Sequence, residues 1–272
     1  MARLRPNEWN FAASTATLIT GLLQSDRFAD SRLGHAEAEL TELRGARRLD
    51  LVLFARDNRQ HPLVTAELKL PWTIEGRTPY NSRLVEDAQG KAVRTGAEYF
   101  VTWNVRRAVV WRTDDPGVEL ANRVIFDFEL TQRQLRTHED LRRADVQNQI
   151  RDGTEQLVTF LDSVFRAAPA PSYLPLDQLF IARLEAELYD PVDWTIQAVA
   201  RRIQEDREFR VGLERWMRDQ QGWPVTPATM PDNIERAVRF SCYMLLNKLC
   251  FYNALRRRYH QIARLTVANN IN

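Results

Sequence analysis

The 272-residue chain has little cysteine, no long hydrophobic run and almost no net charge. Its two cysteines, Cys242 and Cys250, stand eight positions apart on a predicted helix, too far apart for a disulfide. We therefore expect both to be reduced core residues of a cytoplasmic protein. No stretch reaches the roughly 18 uncharged apolar residues of a membrane helix, and MARLRPNEWNF has no apolar signal region. We expect neither membrane insertion nor secretion.

Charge and histidine spacing exclude further classes of function. The formal net charge is +2 although 27% of the residues are charged, so there is no bulk attraction for a polyanion. Contact with nucleic acid must therefore come from local patches. The four histidines show no zinc-ligand spacing, and we expect no zinc site.

The pattern of apolar residues divides the chain into two parts. Residues 8–24 have helical spacing, and from about 36 to 129 short β-rich runs alternate with turns and one helix, SRLVEDAQGKAVRTG, that ends before Gly96. After about 131 only helical periodicity remains, and the proline-rich stretch 166–175 is the best linker. We predict an α/β domain over residues 1–165 and an all-α domain over 172–272.

Three charged residues interrupt two strands that are otherwise apolar. RLDLVLFA and LVTAELKL predict a hairpin in which Asp50 comes level with Glu67, and both strands are mostly apolar on both faces. Buried charges are costly unless they are compensated. A divalent cation would compensate the two carboxylates, and Lys69 could orient a water for attack on a phosphodiester. The alternative is a solvated edge strand on which Glu67 and Lys69 point to water.

The spacing resembles the core motif of the PD-(D/E)XK nuclease superfamily. Asp50 is followed by sixteen residues and then by Glu67-Leu68-Lys69, with each half on an apolar strand. The next segment, DAQGKAVRTGAEYFVTWN, is similar to the helix and strand that follow this motif in restriction-type members, with Gln89 and Asn104 in the corresponding places. The resemblance implies a restriction-endonuclease-like mixed sheet flanked by helices.

The resemblance also implies roles for individual residues. Asp50 and Glu67 would hold the catalytic metal, Mg²⁺ with Mn²⁺ as a possible substitute, and Lys69 would assist the attacking water. Gln89 would position water or DNA. The family expects a further acidic residue upstream. The segment HAEAELTELRGARRLD offers Glu37, Glu39 and Glu42, of which Glu39 and Glu42 are the better candidates by spacing. The implied function is a Mg²⁺-dependent DNA endonuclease of a restriction-modification or antiviral, phage-defence system.

Other functions and partners stay open at this point. A nuclease of DNA repair or recombination, and a degenerate nuclease fold that only binds DNA or protein, are the alternatives. The helix YMLLNKLCFYNAL is apolar nearly all round, so it should be buried centrally or pack on something outside this chain. It is loosely similar to the segment after the nuclease region in fused restriction enzymes of the type I or type IIG kind. That implies a methyltransferase or a helicase/translocase as a possible partner domain or subunit.

Basic clusters are candidates for contact with DNA. Arg44, Arg47 and Arg48 come directly before the strand that carries Asp50, where phosphate contacts would be useful. The opposing interpretation is that these arginines form an ordinary solvated face.

Overall fold

The computed structural model describes residues 8–41, 48–131, 133, 135–166 and 172–265, which form twelve long elements. In chain order these are α1 (Glu8–Leu23), β1 (Leu33–Thr41), β2 (Arg48–Ala55), β3 (Pro62–Leu68), α2 (Ser82–Thr95), β4 (Tyr99–Trp103), β5 (Arg107–Arg112), β6 (Val124–Glu129), α3 (Ala144–Arg166), α4 (Leu176–Glu205), α5 (Arg207–Arg215) and α6 (Met230–Arg258).

The six strands form one mixed sheet in the order β1-β2-β3-β4-β5-β6. Neighbours pair antiparallel except β3 and β4, which pair parallel and are connected through α2. A parallel pair needs such a crossover because a tight turn cannot return the chain to the same end of the sheet. Both halves of the predicted hairpin therefore lie inside the sheet.

Helices cover both faces of the sheet. α1 and α3 bury Ile19, Leu23 and Leu161 against one face. The other face is covered by α2, whose Val85, Ala88 and Ala92 pack with aromatic residues of β4 and β5. The predicted α/β architecture, a mixed sheet flanked by helices and followed by a helical region, is confirmed. Trp103 and Trp111 are fully buried in this core.

Helix α2 begins and ends as the sequence predicts. The side chain of Asn81 accepts hydrogen bonds from the backbone N–H groups of Arg83 and Leu84, which caps the N-terminus. Gly96 ends the helix in a left-handed conformation with φ of 74°. These caps fix how far α2 extends across the sheet, and so which of its residues face β3.

The chain forms two compact units, residues 1–187 and 188–272, so the division lies within α4 rather than between 165 and 172 as the proline-rich stretch suggests. The reason lies in α4 itself. Arg107 of β5 donates a hydrogen bond to the carbonyl of Ala182 and pairs with Glu185, which joins the first turns of α4 to the sheet unit. Part of the predicted linker, 167–171, lies outside the described residues.

The second unit is helical and has a small core of its own. Val192, Met217, Ile234 and Val238 form its centre. The apolar part of α6 that follows is not buried centrally, because large side chains such as Phe240, Leu245 and Phe251 are exposed. Cys250 is also exposed and Cys242 only half-buried, so the expectation that both are core residues is wrong, although both are free thiols.

None of the helices that the structure describes combines the length and the apolar character needed to cross a membrane.

Candidate active site

Asp50 and Glu67 face each other across the β2–β3 pair. Leu51 pairs with Ala66 and Val52 with Thr65, so the same register continued by one step sets Asp50 opposite Glu67, as predicted. Directly opposed residues of antiparallel strands present their side chains on the same face. β3 lies between β2 and β4, and Glu67 is only 4% exposed. The solvated edge strand is therefore excluded.

Lys69 brings its ammonium group between the two carboxylates. Its Nζ lies 3.1 Å from Oε1 of Glu67 and 3.9 Å from Oδ2 of Asp50. The same Oδ2 accepts a hydrogen bond of 2.9 Å from the backbone N–H of Leu68, which fixes the Asp50 side chain against β3. Two acidic groups and one basic group thus converge at the end of β3.

Lys91 is a fourth member of this cluster that the sequence interpretation missed. Its Nζ lies 2.5 Å from Oε2 of Glu67 and 3.0 Å from Oδ2 of Asp87 on the preceding turn of α2. The Lys91 side chain is 9% exposed. The sequence does carry a signal for it, because Lys91 falls on the buried stripe of α2 that includes Leu84 and Ala88, where a charge needs a partner.

Burial and charge act in opposite directions on Glu67. Desolvation raises the pKa of Glu67, and the neighbouring carboxylate of Asp50 raises it further. The ammonium groups of Lys91 and Lys69 lower it, but the pKa stays above the ordinary value of a glutamate. For Lys91, burial lowers the pKa, and the contacts with Glu67 and Asp87 more than offset this and raise it. The cluster therefore contains a buried carboxyl group, that of Glu67, whose ionised form is destabilised by burial and by the charge of Asp50.

The donor groups of this cluster fit a hard divalent cation. Mg²⁺ prefers oxygen ligands and is commonly held by one or two carboxylates together with water and substrate phosphate. Here a cationic ammonium already lies within reach of both carboxylates, which shows that the two acidic groups face one position. Among the described residues no group of three or more acidic, histidine or cysteine side chains could hold a metal, so the fit rests on two carboxylates.

The upstream acidic candidates differ in position. Ala38 pairs with Leu51 and Leu40 with Leu49, so Glu39 of β1 lies opposite Asp50 of β2. Its backbone has a φ of 64°, unusual for a residue other than glycine, and its carboxylate pairs with Arg48 instead of joining the cluster. Glu42 lies outside the described residues, as do Arg44 and Arg47, while Arg48 is exposed.

Gln89 is not brought to the cluster. It lies two positions before Lys91, so the two side chains leave the helix about 200° apart around its axis. Its amide donates to the carbonyl of Thr113, next to Arg112, which pairs with Tyr99 at the start of β4. Glu67 pairs with Thr102 near the other end of that strand. The structure thus gives Lys91, and not Gln89, the position on α2 nearest to Glu67.

A cleft of about 650 Å³ opens beside Lys69. Its other lining residues come from the turn after β3 and from the N-terminus of α2: Thr73, Ile74, Glu75, Asn81, Ser82 and Arg83. Lys69 and Arg83 are the two basic residues of its lining. Of the cluster residues Asp50, Glu67, Lys69 and Lys91, Lys69 is the member found in this lining.

Comparison with known proteins gives a loose structural likeness. No family model matches the chain, and no curated protein matches it. Among solved structures, the type IIG restriction endonuclease BpuSI is similar with a TM-score of 0.45 and 13% sequence identity, over 84% of this chain and 24% of that one. The chain thus spans about a quarter of the length of that enzyme. A likeness at this level does not identify which residues act.

Proposed function

We propose that the protein is a metal-dependent DNA endonuclease of the PD-(D/E)XK type, with its centre at Asp50, Glu67 and Lys69. One observation carries the proposal. Two carboxylates and an ammonium group converge on adjacent interior strands, at a spacing and in an order that resemble the nuclease motif. The chemistry of such a set suits hydrolysis of a phosphodiester.

Each residue has a role in that reaction. Asp50 and Glu67 would hold a Mg²⁺ or Mn²⁺ ion, which supplies charge neutralisation of the phosphate and activation of water when bound. Lys69 lies next to both acidic groups, so its ammonium can orient a water and stabilise negative charge that develops during attack. Leu68 keeps the Asp50 carboxylate in place through its backbone N–H. Lys91, which also pairs with Asp87, holds Oε2 of Glu67.

The biological setting is part of the proposal. The resemblance of the motif favours a restriction-modification or phage-defence nuclease acting in the cytoplasm, with a methyltransferase or helicase/translocase as a further domain or subunit. A nuclease of repair or recombination would use the same chemistry, and the two are separated by substrate: intact duplex for the first, branched or damaged DNA for the second.

One observation favours a second candidate, a fold that binds DNA or protein without cutting. Both oxygens of Glu67 are already paired with lysines, an arrangement that a purely structural ion network would also show. The two functions differ in their dependence on divalent cations.

Incubation of supercoiled plasmid with the protein tests the proposal. We expect cleavage with Mg²⁺ or Mn²⁺, none with EDTA, and a loss of at least about 100-fold in rate for Glu67→Gln, because an amide carries no charge to hold the cation. Glu155→Gln is the matched control, since Glu155 is a half-exposed glutamate paired with Arg27 elsewhere in the same unit. Cleavage that persists in Glu67→Gln would remove the site assignment, and DNA binding without any cleavage would favour the binding module.

A further inference from the structure

The turn between β3 and α2 carries an exposed apolar side chain, that of Ile74. Ile74 is 77% exposed, the most exposed large hydrophobic side chain among the residues that the structure describes. It lines the same cleft as Lys69. An exposed isoleucine is unremarkable alone, but this one stands beside the proposed reaction centre.

The turn that carries Ile74 is held in one conformation. The backbone N–H of Thr73 donates to the carbonyl of Leu70, and that of Gly76 donates to the carbonyl of Thr73, at 3.0 and 3.1 Å. A Cβ at Gly76 would lie 2.0 Å from the carbonyl oxygen of Leu70, so only glycine fits there. Ile74 therefore lies in a tight turn that is closed by its own backbone hydrogen bonds.

The C-terminal end of the turn is tied to the sheet by buried polar groups. The amide of Asn104, directly after β4, donates to the carbonyls of Gly76 and Arg77 at 2.9 and 3.3 Å. Arg106 donates to the same carbonyl of Arg77 at 3.2 Å. Asn104 and Arg106 are both almost fully buried. The turn that carries Ile74 is thus fixed relative to the sheet, and so relative to Lys69.

The charges around the cleft indicate which part of a nucleic acid would contact Ile74. Lys69 and Arg83 attract backbone phosphate. Glu75, next to Ile74, repels phosphate but can accept a hydrogen bond from the amino group of a base. With its phosphates on Lys69 and Arg83, a bound strand would meet Glu75 and Ile74 with its bases.

We propose that Ile74 is a wedge that inserts against a base step next to the cleaved phosphodiester. Apolar side chains on fixed supports unstack base steps in this way and thereby favour steps that deform easily. The inference rests on the proposed nuclease function and adds to it a residue that determines where the DNA is cut.

Two measurements on the full chain test the wedge. The ends of plasmid fragments cut by the protein are sequenced, and duplexes with 2-aminopurine at the positions flanking a mapped cut are then bound in Ca²⁺, which is used to prevent cleavage. Ile74→Ser removes the wedge, Ile74→Met keeps an apolar tip, and Val93→Ser is the control. Val93 is 52% exposed on α2 but lies with Gln89 in a separate cleft.

We expect 2-aminopurine fluorescence to rise on binding of the wild type, Ile74→Met and Val93→Ser, and to rise at least about threefold less with Ile74→Ser, because unstacking removes the quenching. Ile74→Ser should also bind about tenfold more weakly and show a relaxed base preference beside the cut. Equal fluorescence and equal end sequences for the wild type and Ile74→Ser would overturn the wedge while cleavage stands. Absence of cleavage by the wild type would overturn the nuclease proposal, and the wedge with it.

Discussion

We expect Lys91→Met to lower the free energy of unfolding of the unit that contains the sheet by about 3 kcal/mol, the low end of the range for breaking a buried ion pair. Methionine keeps the bulk of the lysine stem but leaves Oε2 of Glu67 without its partner at 2.5 Å. The loss stays at the low end because Lys69 still contacts Oε1 of Glu67. Urea denaturation followed by tryptophan fluorescence measures it.

A double variant and a pH series sharpen this prediction. Glu67→Gln combined with Lys91→Met should cost clearly less than the sum of the two single changes, because no unpaired charge is left buried. The pKa of Glu67 is already raised, and loss of Lys91 raises it further, so the deficit of Lys91→Met should be largest above that pKa and shrink as the pH falls and Glu67 becomes protonated. A loss below about 1 kcal/mol would mean that the pair behaves like a surface ion pair.

Lys69→Met should reduce the rate of plasmid cleavage by about 10²- to 10⁴-fold, the range expected when a group that handles water in the transition state is removed. The side chain lies at the end of β3 and is 17% exposed, so its loss should disturb folding less than that of Lys91. Affinity for DNA in Ca²⁺ should change less than tenfold, because one phosphate contact out of several is lost.

Lys248→Met serves as the matched control, since Lys248 is an exposed lysine of the second unit. It should cleave like the wild type. A rate for Lys69→Met within threefold of the wild type, at saturating DNA, would show that Lys69 takes no part in the reaction.

The sequence predicts the acidic pair because the strand period determines it. Alternation with a period of two and one hairpin are enough to set Asp50 opposite Glu67, and the structure has that register. Lys91 is missed because the family resemblance indicates Gln89, two residues away, as the functional residue of α2. The 3.6-residue period of α2 decides which of the two faces β3, and the stripe through Ala88 and Ala92 includes Lys91.

The boundary between the units could not be predicted, because it depends on contacts distant in sequence. Arg107 is one of two buried arginines among the described residues, and nothing in the sequence indicates that it would hold Ala182 and Glu185 of α4. α4 also runs through Pro191, a residue type that usually ends or kinks a helix. A proline costs a helix one hydrogen bond and a kink, which the packing of Val192 and its neighbours can offset.

Binding of Mn²⁺ to the DNA-free protein shows whether Asp50 and Glu67 together form a cation site. Titration calorimetry at neutral pH should show one Mn²⁺ site in the wild type and in Asp57→Asn, a change in the exposed turn between β2 and β3. Asp50→Asn should weaken that site at least about tenfold, because one of two carboxylates is lost. Equal Mn²⁺ affinity in the wild type and Asp50→Asn would show that Asp50 and Glu67 do not hold the cation together.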